Sequence, residues 1–252
     1  MYLPLMSRTQ LAADVIRTAS GKHMAPPTAA IIVAAGQSTR MKGVSKQFLQ
    51  LDGVPVLVHT LRAFQRSRYI DEIVLVVRKE DEERVRLLVR EYRITKLTHI
   101  VQGGKTRQES AKRGFAAIHK SMRYVAIHDG ARCLVTPDMI KSVLREAYKT
   151  GAASAASAVT DTVKLANKRG FIDKTLDRDR VFLVSTPQAF NVDLYYTALE
   201  KIGKKDFTDD NQLMEHIGIP VKLVDVGKEN VKITTSEDVP FAEYLLQRRN
   251  KA

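Results

Sequence analysis

The residues best suited to chemistry near the start of this sequence are cations that follow a short apolar run. Residues 29–34 are small or branched apolar residues, enough for a buried strand and too few for a helix. The small residues 34–36 end this run, and the cations Arg40 and Lys46 come after them. A strand that leads into a small-residue loop leaves backbone N–H groups free to point at an anion. This pattern predicts a phosphate-binding loop, although it has neither the G-K-[ST] ending of a Walker A loop nor the G-x-G-x-x-G spacing.

Two further polar segments come directly after predicted strands. Gly103 and Gly104 follow the strand predicted at 97–101, and Asp129 follows the one at 124–128. Glycines let the backbone approach a flat ligand, and a carboxylate at the end of a buried strand is well placed to hold Mg²⁺ against phosphate oxygens. Taken singly, a glycine pair is commonly a turn, and such an aspartate commonly caps a helix. Because ligands bind outside the carboxyl ends of the strands in open α/β sheets, we expect these segments to lie together.

Strand and helix patterns alternate through residues 29–149. This alternation predicts an α/β fold with a Rossmann-like, mostly parallel sheet flanked by helices and connected by right-handed crossovers. Thr106 and Glu109 also have the spacing of a capping box. The predicted strands are 29–34, 72–77, 97–101 and 124–128. Of the four predicted helices, one begins at Pro55, one spans 79–93, one runs from Thr106 to about residue 120, and one runs from Thr136 to about residue 149.

The pattern changes after residue 150. Residues 160–180 contain alternating and turn-like pieces with a tip at 167–170, which predicts a projecting β-hairpin arm rather than another strand–helix unit. The remaining predicted strands are 152–159, 181–184 and 221–224. Of the three remaining helices, one spans 191–202, one runs from a Thr208 cap to Gly218, and one begins at Ser236.

Length and composition indicate one globular domain, or one domain with a subdomain. The chain has 252 residues, 44% of them apolar and 27% charged. Residues 1–24 lack the apolar segment of a secretory signal and are predicted to be a loosely ordered, dispensable extension of a domain at 25–252. The single cysteine, Cys133, fits a reducing cytoplasm, and no apolar run approaches the roughly 20 residues that span a bilayer. The formal charge of +13 suits polyanionic ligands, and no nucleic-acid module is recognisable.

An ordered set of short motifs resembles one enzyme family. The motifs are A-A-G-x-x-x-R-M with K-Q-[FY]-L (34–49), G-G-x-x-R-x-x-S (103–110), H-D-[AG]-A-R-P (128–133), D-T-[VM]-K (161–164), T-x-[DN]-R (175–178), T-P-Q (186–188), T-D-[DE] (208–210) and N-x-K-[IV]-T (230–234). The set looks most like the 2-C-methyl-D-erythritol 4-phosphate cytidylyltransferase family of the non-mevalonate isoprenoid pathway, among the sugar-phosphate nucleotidyltransferases. The resemblance covers about residues 29–244.

The resemblance implies transfer of CMP from CTP to the methylerythritol phosphate, with release of pyrophosphate and with Mg²⁺ or another divalent cation as cofactor. The implied catalytic residues are Arg40, Lys46 and Asp129, and Asp129 is also the implied metal ligand. The implied nucleotide-binding residues are Ala34, Ala35, Gly36, Gly103, Gly104, Lys105 and Ser110. The implied acceptor-binding residues are Arg132, Thr162, Arg178, Thr186, Thr208 and Lys232.

The resemblance also implies a homodimer. In the family the arm, here at about residues 160–180, reaches a neighbouring subunit, so Thr162 and Arg178 would complete the partner's acceptor site. Exposed apolar residues on such an arm need a partner to bury them. The alternative is an intramolecular lid over the same chain's own site.

Four residues depart from the family pattern: Ser38 stands in place of a usual glycine, Ser45 and Cys133 in place of prolines, and Lys105 in place of a residue that is often acidic. Two functional alternatives stay open. One is the same chemistry on another acceptor, such as ribitol 5-phosphate, since those cytidylyltransferases share most of these motifs. The other, prompted by the charge of +13 and by these four departures, is a non-catalytic nucleic-acid-binding or regulatory protein on this scaffold. The leading hypothesis predicts that the protein binds CTP and a sugar-alcohol phosphate, and that it binds no specific nucleic acid and no membrane.

Overall fold

The computed structural model describes residues 25–36, 45–203 and 205–251. The predictions for residues 1–24, for Ser38 and for the catalytic candidate Arg40 lie outside these described residues. Within the described ranges, no helix combines the length and the apolar character needed to cross a lipid bilayer.

A seven-stranded sheet forms the centre of the fold. Neighbouring strands are parallel except for the two pairs made by β10, which is antiparallel to β6 and to β7. The predicted Rossmann-like, mostly parallel sheet is therefore confirmed. In spatial order the strands are β11 (Lys222–Asp225), β7 (Ala152–Ala158), β10 (Phe182–Asn191), β6 (Tyr124–Asp129), β1 (Thr28–Val33), β4 (Glu72–Val77) and β5 (Leu97–Gln102).

Helices cover both faces of this sheet. Two of them begin with the predicted threonine caps, since the hydroxyls of Thr106 and Thr136 accept from backbone N–H groups three residues later. The helices of the described chain are α1 (Val56–Arg66), α2 (Glu82–Glu91), α3 (Arg107–Ala116), α4 (Pro137–Thr150), α5 (Val192–Lys201), α6 (Asn211–His216) and α7 (Asp238–Lys251).

Successive residues of the central strands serve two separate cores. Ile32 of β1 belongs to the core that contains Leu61 of α1 and Ile140 of α4. Its neighbour Ile31 belongs to the core on the opposite face, with Tyr195 of α5. Because side chains alternate across a strand and both faces are covered, the strand sequence is apolar throughout rather than alternating.

A third apolar cluster fastens α7 beside the sheet. Leu51, in the short strand β2 (Gln50–Leu51) that pairs with β3 (Val54–Pro55), packs with Ala242 of α7 and with Cys133. Cys133 is buried there. This cluster supports the loops that leave β6 and precede α7.

Strand β10 is longer than predicted. The strand expected at 181–184 runs from Phe182 to Asn191, and its pairing with β7 shifts register between Val184 and Gln188. Pro187 lies inside this interval and has no backbone N–H to contribute to the ladder. The apolar pattern ends at Val184 because residues 185–188 are polar or proline, although the strand continues through them.

Three predicted helix boundaries are wrong. The helix expected at 79–93 divides into a 3-10 turn, Lys79–Asp81, and α2, and the last helix begins at Asp238 rather than at Ser236. Helix α3 ends at Ala116 instead of continuing to about residue 120. Beyond this end, the backbone N–H of His119 donates to the carboxylate of Glu72 at 2.7 Å, which ties the chain to the sheet.

The predicted Thr208 cap is also wrong. Helix α6 begins at Asn211, and the backbone N–H of Gln212 donates to the Asp209 carboxylate at 3.3 Å. The Thr208 hydroxyl instead accepts from the side-chain amide of Gln212 at 3.1 Å. A carboxylate near the helix start also interacts favourably with the helix dipole.

The arm is a two-stranded hairpin made of β8 (Lys164–Ala166) and β9 (Ile172–Thr175). Asn167 closes its tip by accepting from the backbone N–H groups of Arg169 and Phe171. All residues of both strands are exposed. The hairpin therefore projects from the domain, as the fold prediction expects.

Candidate active site

Two cavities open at the carboxyl ends of the central strands. The larger, about 380 Å³, is lined at the ends of β1, β4 and β5 by Ala35, Gly36, Arg78, Gly103 and Gly104, among others. The smaller, about 310 Å³, is lined by residues of β10 and of the segment before α6. Both cavities include Arg107, Asp129 and Lys232 in their walls. The two spaces therefore meet at one carboxylate and two cations.

Asp129 is the last residue of β6 and stands opposite Val33 in the register with β1. Its Oδ1 lies 3.1 Å from Nε of Arg107, and its Oδ2 lies 2.8 Å from Nζ of Lys232. Nε of Arg132 lies 3.7 Å from Oδ2. Burial alone would raise the pKa of the Asp129 carboxyl, but the charges of Arg107 and Lys232 outweigh burial and hold this pKa well below its usual range.

Arg107 is a site residue that the sequence reasoning missed. It is the first residue of α3, and its Nη1 lies 2.5 Å from Oδ2 of the buried Asp210. Burial lowers the pKa of the guanidinium, but Asp210 and Asp129 together raise that pKa above its ordinary value. The available signal was the arginine of the G-G-x-x-R-x-x-S motif, to which no role was given.

The glycine turn after β5 packs against the loop after β1. A Cβ on Gly103 would lie 2.2 Å from the Cβ of Ala35, so only glycine allows this approach. The hydroxyl of Ser110 accepts from the backbone N–H of Gly104 at 3.0 Å and donates to the carbonyl of Thr106 at 2.9 Å. One lone pair of that hydroxyl remains for a ligand. Lys105 is exposed at the cavity rim.

Some residues of the predicted phosphate-binding loop line the larger cavity, and others hold the loop against the sheet. Lys46 begins the 3-10 helix Lys46–Phe48 and lines the larger cavity. Ala34 is buried, and its N–H donates to the carbonyl of Val76 at 2.7 Å, which ties the loop to β4. Gln47 also lines this cavity, and its buried Oε1 has no hydrogen-bond partner among the described residues. It is a second residue that the sequence reasoning did not assign.

The predicted acceptor residues Arg132, Thr186, Thr208 and Lys232 all line the smaller cavity. Nη1 of Arg132 donates to the carbonyl of Asn230 at 2.8 Å, which links the loop after β6 to the segment that carries Lys232. The structure therefore brings four of the six predicted acceptor residues together.

The Thr186 hydroxyl supports the site through hydrogen bonds to Asp129 and His128. It accepts from the backbone N–H of Asp129 and contacts Nδ1 of His128, both at 3.0 Å. Nε2 of His128 lies 3.2 Å from the carbonyl of Arg132. Burial lowers the pKa of His128 to about 3. A neutral ring that donates from Nε2 and accepts at Nδ1 satisfies both contacts, so His128 has a structural role.

Two arm residues do not reach the site of their own chain. Thr162 and Arg178 are exposed and line neither of the two cavities. Nη1 of Arg178 donates to the carbonyl of Thr160 at 3.1 Å at the base of the arm. In a single chain the smaller cavity therefore lacks these two predicted contacts.

A protein-only metal cage is absent from the described residues, which contain no group of three or more histidine, cysteine or carboxylate side chains suited to one ion. Mg²⁺ is commonly held by one or two carboxylates together with substrate phosphates and water. Asp129, at the junction of the cavities, fits that pattern as a single protein ligand. Its present partners, Arg107 and Lys232, would share its oxygens with the ion.

Comparison with known protein families gives one clear match. The family model described as IspD, 2-C-methyl-D-erythritol 4-phosphate cytidylyltransferase, matches residues 28–248. A protein of that name from Dehalococcoides mccartyi (strain CBDB1) is 43% identical over 219 residues, which are 87% of this chain and 96% of the relative. Another from Syntrophus aciditrophicus is 41% identical over 229 residues, which are 89% of this chain and 98% of the relative.

Solved structures show the same likeness. The 4-diphosphocytidyl-2C-methyl-D-erythritol synthase of Anaerococcus prevotii superposes with a TM-score of 0.80 at 34% identity, covering 88% of this chain and 96% of that one. A 2-C-methyl-D-erythritol 4-phosphate cytidylyltransferase from Thermus thermophilus superposes with a TM-score of 0.69 at 28% identity, covering 88% and 99%.

Proposed function

The chain belongs to the 2-C-methyl-D-erythritol 4-phosphate cytidylyltransferase family, and from this premise we propose how it transfers CMP from CTP to 2-C-methyl-D-erythritol 4-phosphate. Membership makes it an enzyme, and the non-catalytic alternative has no support. The products are 4-diphosphocytidyl-2-C-methyl-D-erythritol and pyrophosphate.

The observation that carries the proposal is the junction of two cavities at Asp129, Arg107 and Lys232. A transferase of this kind must hold two phosphorylated substrates with their reacting phosphates adjacent. We place CTP in the larger cavity, whose glycine turn and small residues allow close approach to the base. We place the acceptor in the smaller cavity, where Arg132 and Thr208 line the wall.

In this arrangement an oxygen of the acceptor phosphate attacks the α-phosphorus of CTP in line. The new O–P bond forms as the bond from the α-phosphorus to the bridging oxygen breaks, and pyrophosphate leaves. The acceptor phosphate is already ionised at neutral pH, so no side-chain nucleophile is required. Lys46, Arg40 and Lys232 neutralise the negative charge that develops on the transferring group.

Asp129 is the residue that would hold a divalent cation at this junction. Such an ion, when bound, supplies positive charge to the phosphate oxygens. The protein's part is to keep the Asp129 carboxylate ionised and oriented, which its cationic neighbours and the Thr186 hydroxyl do.

We also propose that the enzyme is a homodimer joined through the arm. Phe171 and Ile172 are 68% and 65% exposed on the hairpin, and such apolar surface favours a protein partner. Arm exchange would bring Thr162 and Arg178 of one chain to the acceptor cavity of the other. A cytoplasmic location remains a prediction that rests on the single cysteine.

The direct test is pyrophosphate release with CTP and Mg²⁺, comparing methylerythritol 4-phosphate with ribitol 5-phosphate. Release with the first acceptor alone supports the proposal. A preference for ribitol 5-phosphate would keep the mechanism and change the acceptor. No release with either acceptor, from a folded protein, would contradict the proposed function.

Lys46→Ala tests the assigned phosphate contact. Removing this cation should lower kcat by about a hundredfold or more, because a preorganised charge at the transferring phosphate acts in the transition state. Lys141→Ala, on the surface of α4, is the control and should leave kcat unchanged. Near-normal kcat in a folded Lys46→Ala variant would contradict the role given to Lys46.

A further inference from the structure

The buried carboxylate Asp210 has no role in the mechanism above. It is 1% exposed, and its Oδ2 lies 2.5 Å from Nη1 of Arg107. Its Oδ1 accepts from the hydroxyl of Tyr195 at 2.7 Å. Its backbone N–H donates to Oε1 of Gln188 at 3.0 Å. Asp210 is therefore held at three points, and one of them is an arginine of the active site.

The packing of the Tyr195 ring holds the hydroxyl that donates to Asp210 in a fixed position. The side chain is fully buried, and its ring stacks on Phe190 and meets Phe115 edge to face. Burial beside Asp210 raises the pKa of the Tyr195 hydroxyl well above its ordinary value, so this group stays a hydrogen-bond donor. Tyr195 and Gln188 thus determine where the Asp210 carboxylate lies.

Arg107 connects Asp210 to the reacting junction. Its Nη1 faces Asp210 while its Nε faces Oδ1 of Asp129, at 2.5 and 3.1 Å. A guanidinium is a planar group with donors in fixed directions, so holding one edge aims the other. The position of Asp210 therefore sets the direction from which Arg107 approaches Asp129.

Arg107 is shared between two carboxylates. A guanidinium that paired with Asp129 alone could contact both of its oxygens. Because Asp210 holds Nη1, Arg107 contacts only Oδ1, and Oδ2 lies 2.8 Å from Nζ of Lys232 and 3.7 Å from Nε of Arg132. Buried ion pairs by themselves contribute little net stability, so stability alone does not account for this arrangement.

We propose that Asp210, braced by the Tyr195 hydroxyl, is a positioning residue for the transfer reaction. It fixes the direction from which Arg107 contacts Oδ1 of Asp129, and so the orientation of the Asp129 carboxylate at the junction. This inference rests on the proposed role of Asp129. Neither Asp210 nor Tyr195 contacts either substrate in this scheme.

The test compares kcat and KM for Asp210→Asn, Arg107→Lys and the double variant, all checked for folding by circular dichroism. Asp210→Asn should lower kcat about tenfold while KM for CTP changes less than about threefold, since the loss falls on the transition state. In the Arg107→Lys background, Asp210→Asn should lower kcat by less than about twofold further, because the two residues act as one unit. Losses that multiply in the double variant would overturn the proposal.

Tyr195→Phe supplies a second variant that keeps the size of the side chain. It should lower kcat about threefold through the loosened Asp210. The matched control is Tyr148→Phe, which removes another buried hydroxyl, bonded to Thr28 at the start of β1, the end of that strand opposite the site. Equal kcat for Tyr195→Phe and Tyr148→Phe would also overturn the proposal.

Two further measurements distinguish failure of the proposed function from failure of this inference. If the wild type releases no pyrophosphate, or if Asp129→Asn is as active as the wild type, the mechanism itself is wrong. If the wild type is active and Asp129→Asn is inactive, the variants of Asp210 and Tyr195 decide the inference alone.

Discussion

Asp129 and His128 are adjacent in the chain and both are buried, yet the protein holds them in opposite charge states. Burial disfavours the ionised form of each group. Around Asp129, Arg107 and Lys232 restore the negative charge. Around His128, the ring nitrogens meet the Thr186 hydroxyl and the Arg132 carbonyl, and the imidazole stays neutral. Asp129 therefore presents a charged carboxylate to the site, while the neutral His128 holds the residues around it in place.

The neutral state of His128 predicts a pH dependence of stability. The unfolded chain takes up a proton at this residue near pH 6.5, whereas the folded chain does so only near pH 3. Between these values the unfolded state binds the extra proton, so the free energy of unfolding falls as pH falls, by up to about 1.4 kcal/mol for each pH unit. Above pH 6.5 this contribution is complete.

Urea unfolding between about pH 5 and pH 7 measures this slope. The slope should be smaller in His128→Gln than in the wild type. His99→Gln is the control, since His99 is exposed and should keep the wild-type slope. Equal slopes for His128→Gln and the wild type would show that His128 is not the neutral buried group described above.

At the level of elements, the site depends on how closely the turns after β1 and β5 approach each other. The ends of these strands lie on either side of β4, and Gly103 lets the two turns touch. The backbone N–H of Gly103 also donates to the carbonyl of Val77 at 2.8 Å, which prevents the turn from moving away. The wall of the larger cavity is therefore set by a contact between Gly103 and Ala35 that leaves no room for another methyl group.

Gly103→Ala should reduce stability by about 1–3 kcal/mol, because the new Cβ overlaps the Cβ of Ala35 and both backbones are tied to β4. The free energy of unfolding in urea is the measurement. Adding Ala35→Gly should restore part of the loss by removing the clashing atom. Gly36→Ala is the control, since a Cβ there meets no atom of the described residues within 4 Å. A stable Gly103→Ala variant would contradict the close packing.

For the whole molecule, the arm leaves a set of apolar side chains exposed on a single chain. Leu165, Phe171 and Ile172 lie on the hairpin, and Leu183 and Val184 lie at the start of β10, near its base. A second copy of the chain is the occupant that would also complete the acceptor cavity. Assembly and activity are therefore expected to be coupled.

Ile172→Glu should convert the proposed dimer to a monomer, because a charge would have to be buried at the interface. Sedimentation velocity gives the mass, and kcat should fall together with it. Phe241→Glu on α7 is the control, since Phe241 is 52% exposed outside the arm. An Ile172→Glu protein with the wild-type mass, or a wild type that is monomeric, would contradict assembly through the arm.

Much of the site could be predicted from the sequence because its motifs sit at strand ends. The runs that form β1, β5 and β6 stand out as strands in the sequence, and the motifs that contain Gly36, Gly103 and Asp129 lie at the ends of these three strands. Given a parallel sheet, Gly36 and Asp129 must then fall on the same edge. The hairpin arm was also predictable, since turn residues at its tip interrupt an alternating pattern.

Other features were decided only by the tertiary structure. The contacts of Asp129 with Lys232 and of Arg107 with Asp210 each join residues 103 positions apart. The antiparallel placement of β10 and the use of the Thr186 hydroxyl to fix Asp129 also have no local signal. The physical reason is that sequence periodicity reports the burial of a segment within its own element. The choice of partner for a buried charge depends on which distant segments the packed sheet and helices bring into contact.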